Sequence, residues 1–142
     1  MIQHSLLQPV VVLLAWSMVM FVWLYATRIP AMRRAGMDPK TKVGGMASDL
    51  DDALPARVQW KAHNYNHLME QPTLFYATCL ALVLAGCAST VALTAAWAYV
   101  ALRVIHSLVQ ALGNRVIYRF AIFMLSSICL MILIGFAICS VF

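Results

Sequence analysis

Between Trp60 and Ala77 the chain reads WKAHNYNHLMEQPTLFYA, a run in which ionisable side chains lead straight into apolar sequence of membrane type. At 3.6 residues per turn, His63, Asn66, His67 and Glu70 fall on one helical face, with Pro72 and the apolar run from Thr73 to Ala85 following. In lipid that face must turn toward a partner helix or a water-filled cavity. An ionised group facing hydrocarbon costs ~2.5–3.5 kcal/mol even on the lenient insertion scales. A second stripe lies further along, where Tyr99, Arg103, His106, Gln110 and Asn114 recur at intervals of four, three, four and four. Counting from the outer helix ends at ~1.5 Å per residue puts Glu70 about level with His106 and Gln110 and Arg103 a turn or two deeper. Arg103 then reaches toward Glu70 from the same or a neighbouring subunit, and pairing lowers the cost of keeping both charges in the membrane.

A cavity lined by His63, Asn66, His67, Glu70, Arg103, His106, Gln110, Arg115 and Arg119 would offer cations for carboxylates and acceptors for an ammonium group. Such a lining suits a small zwitterionic or anionic ligand, because guanidinium groups bind carboxylates in bidentate fashion. A structural use, with Glu70 and Arg103 merely holding helices together, competes with it. His63 and His67 have the i, i+4 spacing of a helical metal pair, but HxxxH without its Glu neighbour is common by chance, and no metal is expected.

The elements that must position these groups belong to a membrane protein. Of 142 residues 63% are hydrophobic and only 11% charged, far from the roughly 25% charged residues of soluble domains, and the mean hydropathy is +0.84. Ten Lys and Arg against five Asp and Glu are better explained by topology than by nucleic acid, which is not an expected partner. Cys79, Cys87, Cys129 and Cys139 all sit in apolar runs without CxxC spacing and read as buried small hydrophobes; a Cys87–Cys139 bridge is left open by spacing alone.

Residues 1–142 read as one all-α membrane domain, a four-helix up-down bundle with spans at about 6–26, 57–86, 91–112 and 120–141. With no Lys or Arg before its apolar core, the first span reads as retained rather than cleaved. Residues 28–55, with Arg28, Arg33, Arg34, Lys40 and Lys42, read as an extramembrane loop whose SDLDDALP end could cap the next helix through an Asp. Pro72 should kink the second span just after Glu70 and open space beside that carboxylate. GCAST and NRVIYR are short connectors. All Lys, Arg, Asp and Glu lie on the side of the long loop and NRVIYR, so the positive-inside rule puts both in the cytoplasm and the termini outside.

The second span resembles the MAPEG family, membrane-associated proteins in eicosanoid and glutathione metabolism, in its basic residue and AH at Lys61, Ala62 and His63, then Asn66, Glu70 and Pro72. LRVIHSLVQALGNRVIYR is similar to the family segment in which Arg and His three apart lead to a connector with a further Arg, here Arg103, His106 and Arg119. The resemblance covers nearly the whole chain and implies a homotrimer in a bacterial cytoplasmic membrane, with glutathione between neighbours near the cytoplasmic side. By it, Asn66 and Glu70 meet the amino end and backbone of the peptide, Arg103 and His106 line the cleft and Arg119 holds a carboxylate. Departures are also visible: Asn66 and Glu70 are four apart, Gln110 stands where a Tyr is expected, and Phe120 and Phe123 stand where catalytic members place Ser and Tyr. Without those hydroxyls, thiol activation would fall to an Arg such as Arg28 or Arg115.

The leading expectation is a glutathione-binding protein of this family, a transferase or peroxidase acting on small lipophilic substrates from the bilayer. The alternative is a non-catalytic scaffold that binds membrane lipid in its intersubunit grooves. A proton-coupled transporter using Glu70 is disfavoured, because the first span contains no acid and nothing suggests dual topology.

Overall fold

The structure, a computed structural model, describes residues 2–38, 40 and 44–142; Lys42, counted above in the long loop, lies outside the described residues. The elements are α1 (Ile2–Arg34), a 3₁₀ turn (Ala47–Leu50), α2 (Ala56–Leu68), α3 (Gln71–Leu84), α4 (Thr90–Leu112) and α5 (Val116–Val141), with no strand among the described residues. α1, α4 and α5 are long and apolar enough to cross a membrane. α2 and α3 pack in turn along α1 as the divided fourth member of a membrane four-helix bundle.

α1 outruns its expected end at Ala26 by two turns, so Arg28, Arg33 and Arg34 are helical rather than part of the loop. Nothing in ATRIPAMRR stops the ladder except Pro30, whose cost is local. Arg33 and Arg34 in the last turn complement the negative end of the helix dipole. The stop comes at Gly36, whose φ of +69° is the left-handed conformation that ends helices.

Where the sequence predicts one kinked helix over 57–86, the chain breaks in two. Met69 N–H turns back to the Asn66 carbonyl at 2.9 Å, and Glu70 leaves the helical region with φ −89° and ψ −100°. Pro72 then occupies the first turn of α3, where a missing N–H costs nothing. Its ring would strike the Leu68 carbonyl in a continuous helix, so the ladder ends instead of bending.

The two outer connections are tight. Ser89 caps α4 by accepting from Ala92 N–H at 3.1 Å. At the other end Asn114 takes φ +48° and its N–H bonds the Val109 carbonyl at 2.7 Å. α5 therefore begins at Val116, and most of NRVIYR, expected as a connector, is its first turn, with Arg119 on the helix. In the core, Leu6, Leu13 and Met20 of α1 meet Phe75, Cys79 and Leu82 of α3, Ala92, Ala96 and Tyr99 of α4 and Leu130 and Leu133 of α5. Ala92 and Ala96, one turn apart, allow close helix approach, and Phe75 stacks on Tyr99 at 4.5 Å. Cys87 and Cys139 are both free and exposed.

The loop is tied down by one carboxylate. Asp51 accepts from Gln59 Nε2 at 2.6 Å and from His63 Nε2 at 2.9 Å, while Arg28 Nη2 donates to Gln59 Oε1 at 3.1 Å. Pro55, not an Asp, occupies the cap position of α2; Asp51 is spent on this tie instead. The hydrogen bond from His63, then that from Gln59, holds the Asp51 carboxyl below its ordinary value of 3.8. A depressed carboxyl stabilises the fold above that ordinary value and loses the contribution as pH falls through the folded value. Protection of residues 44–54 from limited proteolysis should therefore persist at neutral pH and decline progressively as the pH drops below 3.8 toward the lower folded value. In Asp51→Asn it should be weaker at neutral pH and insensitive to acid.

Candidate functional site

Arg103 has none of its surface exposed. Nε donates to the Tyr99 hydroxyl at 3.1 Å, Nη2 to Gln71 Oε1 at 2.8 Å, and Nη1 faces His67 Nε2 at 3.2 Å. The guanidinium carbon stands 5.5 Å from the Tyr99 ring and 5.3 Å from the Phe123 ring. Gln71 is held in turn by donating to Ser127 on α5 at 2.8 Å. All these acceptors are neutral. Among the described residues the carboxylates that contact a basic side chain are Asp51, on His63, and Glu70, on His67, and neither reaches Arg103.

Glu70 does not reach Arg103 as the sequence expects. Its side chain is 68% exposed and pairs with His67 Nδ1 at 2.9 Å, so that His67 stands between the two charges. A guanidinium can only donate, so Nε2 of His67 accepts and its proton sits on Nδ1, directed to Glu70. The helix break explains the displacement: beyond Met69 the backbone no longer carries Glu70 along the face that bears His63 and Asn66.

The broad cavity expected from the sequence is two separate pockets. One, of about 240 Å³, is lined by His67, His106, Val116, Arg119, Phe120 and Phe123, with Arg103 beneath it through His67. The other, of about 110 Å³, is lined by Arg28, Ser48, Asp51, Ala62, His63 and Asn66 under the loop. His106 is 3% exposed and makes no hydrogen bond among the described residues; its ring lies 5.0 Å from that of His67 and 6.4 Å from Phe123. Arg119 donates from Nη1 to Asn114 Oδ1 at 2.6 Å, and its Nε is buried without a partner. Gln110 is 3% exposed with Oε1 unpartnered, away from both pocket walls. Arg115, exposed at the start of α5, lines neither pocket. Asn66 is exposed on α2, and His63 and His67, one turn apart, are committed to different carboxylates.

Gln71 and Ser127 escaped the sequence reading although they hold the site. Gln71 adjoins Glu70, but only the break swings it inward. Phe123, singled out by the resemblance as standing in place of a hydroxyl, walls the site with its ring 5.3 Å from the Arg103 guanidinium carbon. Tyr99 was legible as a member of the α4 stripe, one turn from Arg103.

Taken together, the larger pocket presents one guanidinium, that of Arg119, and two imidazoles, with the buried Arg103 behind His67, and the carboxylate of Glu70 is already engaged by His67. It can neutralise an anion and offers an apolar wall in Phe120 and Phe123. Arg103→Ala should strand Gln71 and His67 in the interior and lower stability by about 3 kcal/mol. Arg103→Lys should recover little of it, since one ammonium cannot serve three acceptors in a plane. Thermal unfolding in detergent, followed by circular dichroism, checks both.

A family model described as "MAPEG family" matches residues 6–139 of the chain. No curated protein and no solved structure matches it.

Proposed function

The chain belongs to the MAPEG family, and on that premise we propose that it binds glutathione, or a related small anion, in the pocket of His67, His106 and Arg119. Membership supports a membrane protein of a glutathione- and eicosanoid-metabolising family; the ligand and its site are our reading. The observation that carries it is the fully buried Arg103 with only neutral acceptors, next to an Arg119 whose Nε is also unpartnered. Two guanidinium groups so placed lack a counter-charge, and a bound carboxylate or thiolate supplies one.

The pocket volume of about 240 Å³ falls below the roughly 300–1,000 Å³ of small-molecule sites, and it is open on one side. A second copy of the chain completes it in this proposal, as in a homotrimer with the ligand between neighbours. Asn66, His63 and Arg28 then belong to a different wall from His106 and Arg119, because one chain separates them into two pockets. The one-sided charge supports a topology with the long loop and the Arg119 end on the cytoplasmic side, in this proposal of a bacterial inner membrane.

For turnover, the thiolate of bound glutathione would form a C–S bond to a lipophilic electrophile and expel its leaving group, or attack the O–O bond of a peroxide to give the alcohol and a glutathione sulfenic acid, which a second glutathione converts to the disulfide and water. Phe120 and Phe123 provide no hydroxyl at the mouth of the pocket, so stabilisation of the thiolate rests on a guanidinium. Those two phenylalanines also favour a second reading, a non-catalytic scaffold that keeps the fold and holds lipid in its grooves.

Calorimetry with glutathione in detergent, paired with a conjugation assay on a chlorodinitrobenzene-type electrophile, separates the readings. Binding is expected, and Arg119→Ala should weaken it tenfold or more, on the order of 1.4 kcal/mol, with Glu70→Gln changing it by a smaller factor, since it removes the charge beside His67 but keeps an acceptor for Nδ1–H. Binding without conjugation would leave a carrier of glutathione, and no heat at all would favour the lipid scaffold.

A further inference from the structure

A second feature lies away from that site, on the outside of α1 where it meets the start of α2. A groove of about 520 Å³ is formed there by Ala26, Pro30, Ala31 and Arg34 of α1 with Pro55 and Val58 of α2. It continues through Ala26 and Pro30 into a shallower apolar trough over Phe21, Val22, Tyr25 and Ile29. Val22 is 63% exposed and Ile29 45%, so this face is bare in the single chain.

The level of the groove follows from helix geometry. The 21 residues from Leu6 to Ala26 rise about 31 Å at ~1.5 Å each, which fills a hydrocarbon core of ~30 Å. Thr27 to Arg34 then continue for a further ~12 Å, through the headgroup layer. Trp23, with Lys61 Nζ 5.7 Å from its ring, marks the boundary, as aromatic side chains do at membrane interfaces. The trough therefore lies at acyl-chain depth from Phe21 to Tyr25 and meets the headgroup layer at Ile29, and the groove lies at phosphate depth.

Three cations flank the groove. Arg34 lines it, Arg57 precedes Val58, and Arg33 lies beside Arg34; all three are exposed, and no ion pair among the described residues engages them. A groove that is apolar below and cationic above complements an amphiphile with an anionic head.

We propose that the α1–α2 groove is a binding site for one anionic phospholipid of the loop-side leaflet, its phosphate between Arg34 and Arg57 and an acyl chain along Phe21, Val22, Tyr25 and Ile29. The site stands independently of the glutathione reading and needs only the membrane-spanning character of α1. Juxtamembrane Arg and Lys attract anionic headgroups in general. What makes this a site is the concavity left by Ala26, Pro30 and Ala31. A larger residue there would fill it.

Native mass spectrometry of the full chain in detergent, with phosphatidylglycerol or phosphatidylcholine of the same acyl chains added, tests this. Phosphatidylglycerol should be retained and phosphatidylcholine not. Arg34→Gln with Arg57→Gln should reduce retention about tenfold. Ala31→Phe should reduce it to a similar extent with the charge unchanged, whereas Lys40→Gln, a charge removed from the loop, should leave it intact. Helicity and size-exclusion profiles confirm that the variants fold; the exposed arginine pair gives the result if Ala31→Phe does not. Equal retention of both lipids, or wild-type retention by a folded Ala31→Phe, would overturn the proposal. So would disulfide cross-linking of Ala31→Cys between two copies, which would put a second chain in the groove.

Discussion

Enclosing a guanidinium without a carboxylate costs several kcal/mol unless every N–H it carries finds an acceptor, and the placement of Arg103 is the constraint on which the other helices depend. Its three bonded partners lie on α4, α2 and α3, and Gln71 passes the constraint on to α5 through Ser127. Tyr99 below and Phe123 beside it supply ring faces. Any displacement of one helix relative to the others would open one of these bonds in a medium without water to replace it. Rigidity of the pocket floor follows from that.

The break between α2 and α3 is the other half of the same arrangement. A continuous helix would carry Glu70 and Gln71 along the spiral of His63 and Asn66. Pro72 prevents this, and the released residues face opposite ways: Glu70 outward onto His67, Gln71 inward onto Arg103. The acid thus stays hydrated and acts at one remove, setting the tautomer of an imidazole that the guanidinium then meets as an acceptor. Interrupted helices at membrane depth are tolerated where protein or a polar cavity satisfies the freed backbone, and here local turns do so, with Met69 N–H on the Asn66 carbonyl and the Thr73 N–H and hydroxyl on the Glu70 carbonyl.

That pocket differs in character from the groove on α1. The first joins two imidazoles and the Arg119 guanidinium with no free acid in its lining and is open on one side. The second has no buried polar group and owes its sign to the exposed helix ends. One surface selects by hydrogen-bond geometry and the other by depth and charge, which is why a soluble anion is assigned to one and an amphiphile to the other.

Most of the architecture was legible in the chain itself. Apolar run lengths determined the three long helices, i, i+4 spacing determined that Tyr99, Arg103, His106 and Gln110 share a face of α4, and Pro72 marked the interruption beside Glu70. These features are local, governed by helix period and by the missing N–H of proline. Only the tertiary structure decided that Arg103 would find amides, a phenol and an imidazole instead of Glu70. It also decided that His63 would serve the loop through Asp51, and that Phe123 would wall the site. Each of these turns on the direction in which a broken helix resumes and on the rotation of α5 against α4. Such choices are settled by packing between segments distant in sequence, and no periodicity within one segment encodes them.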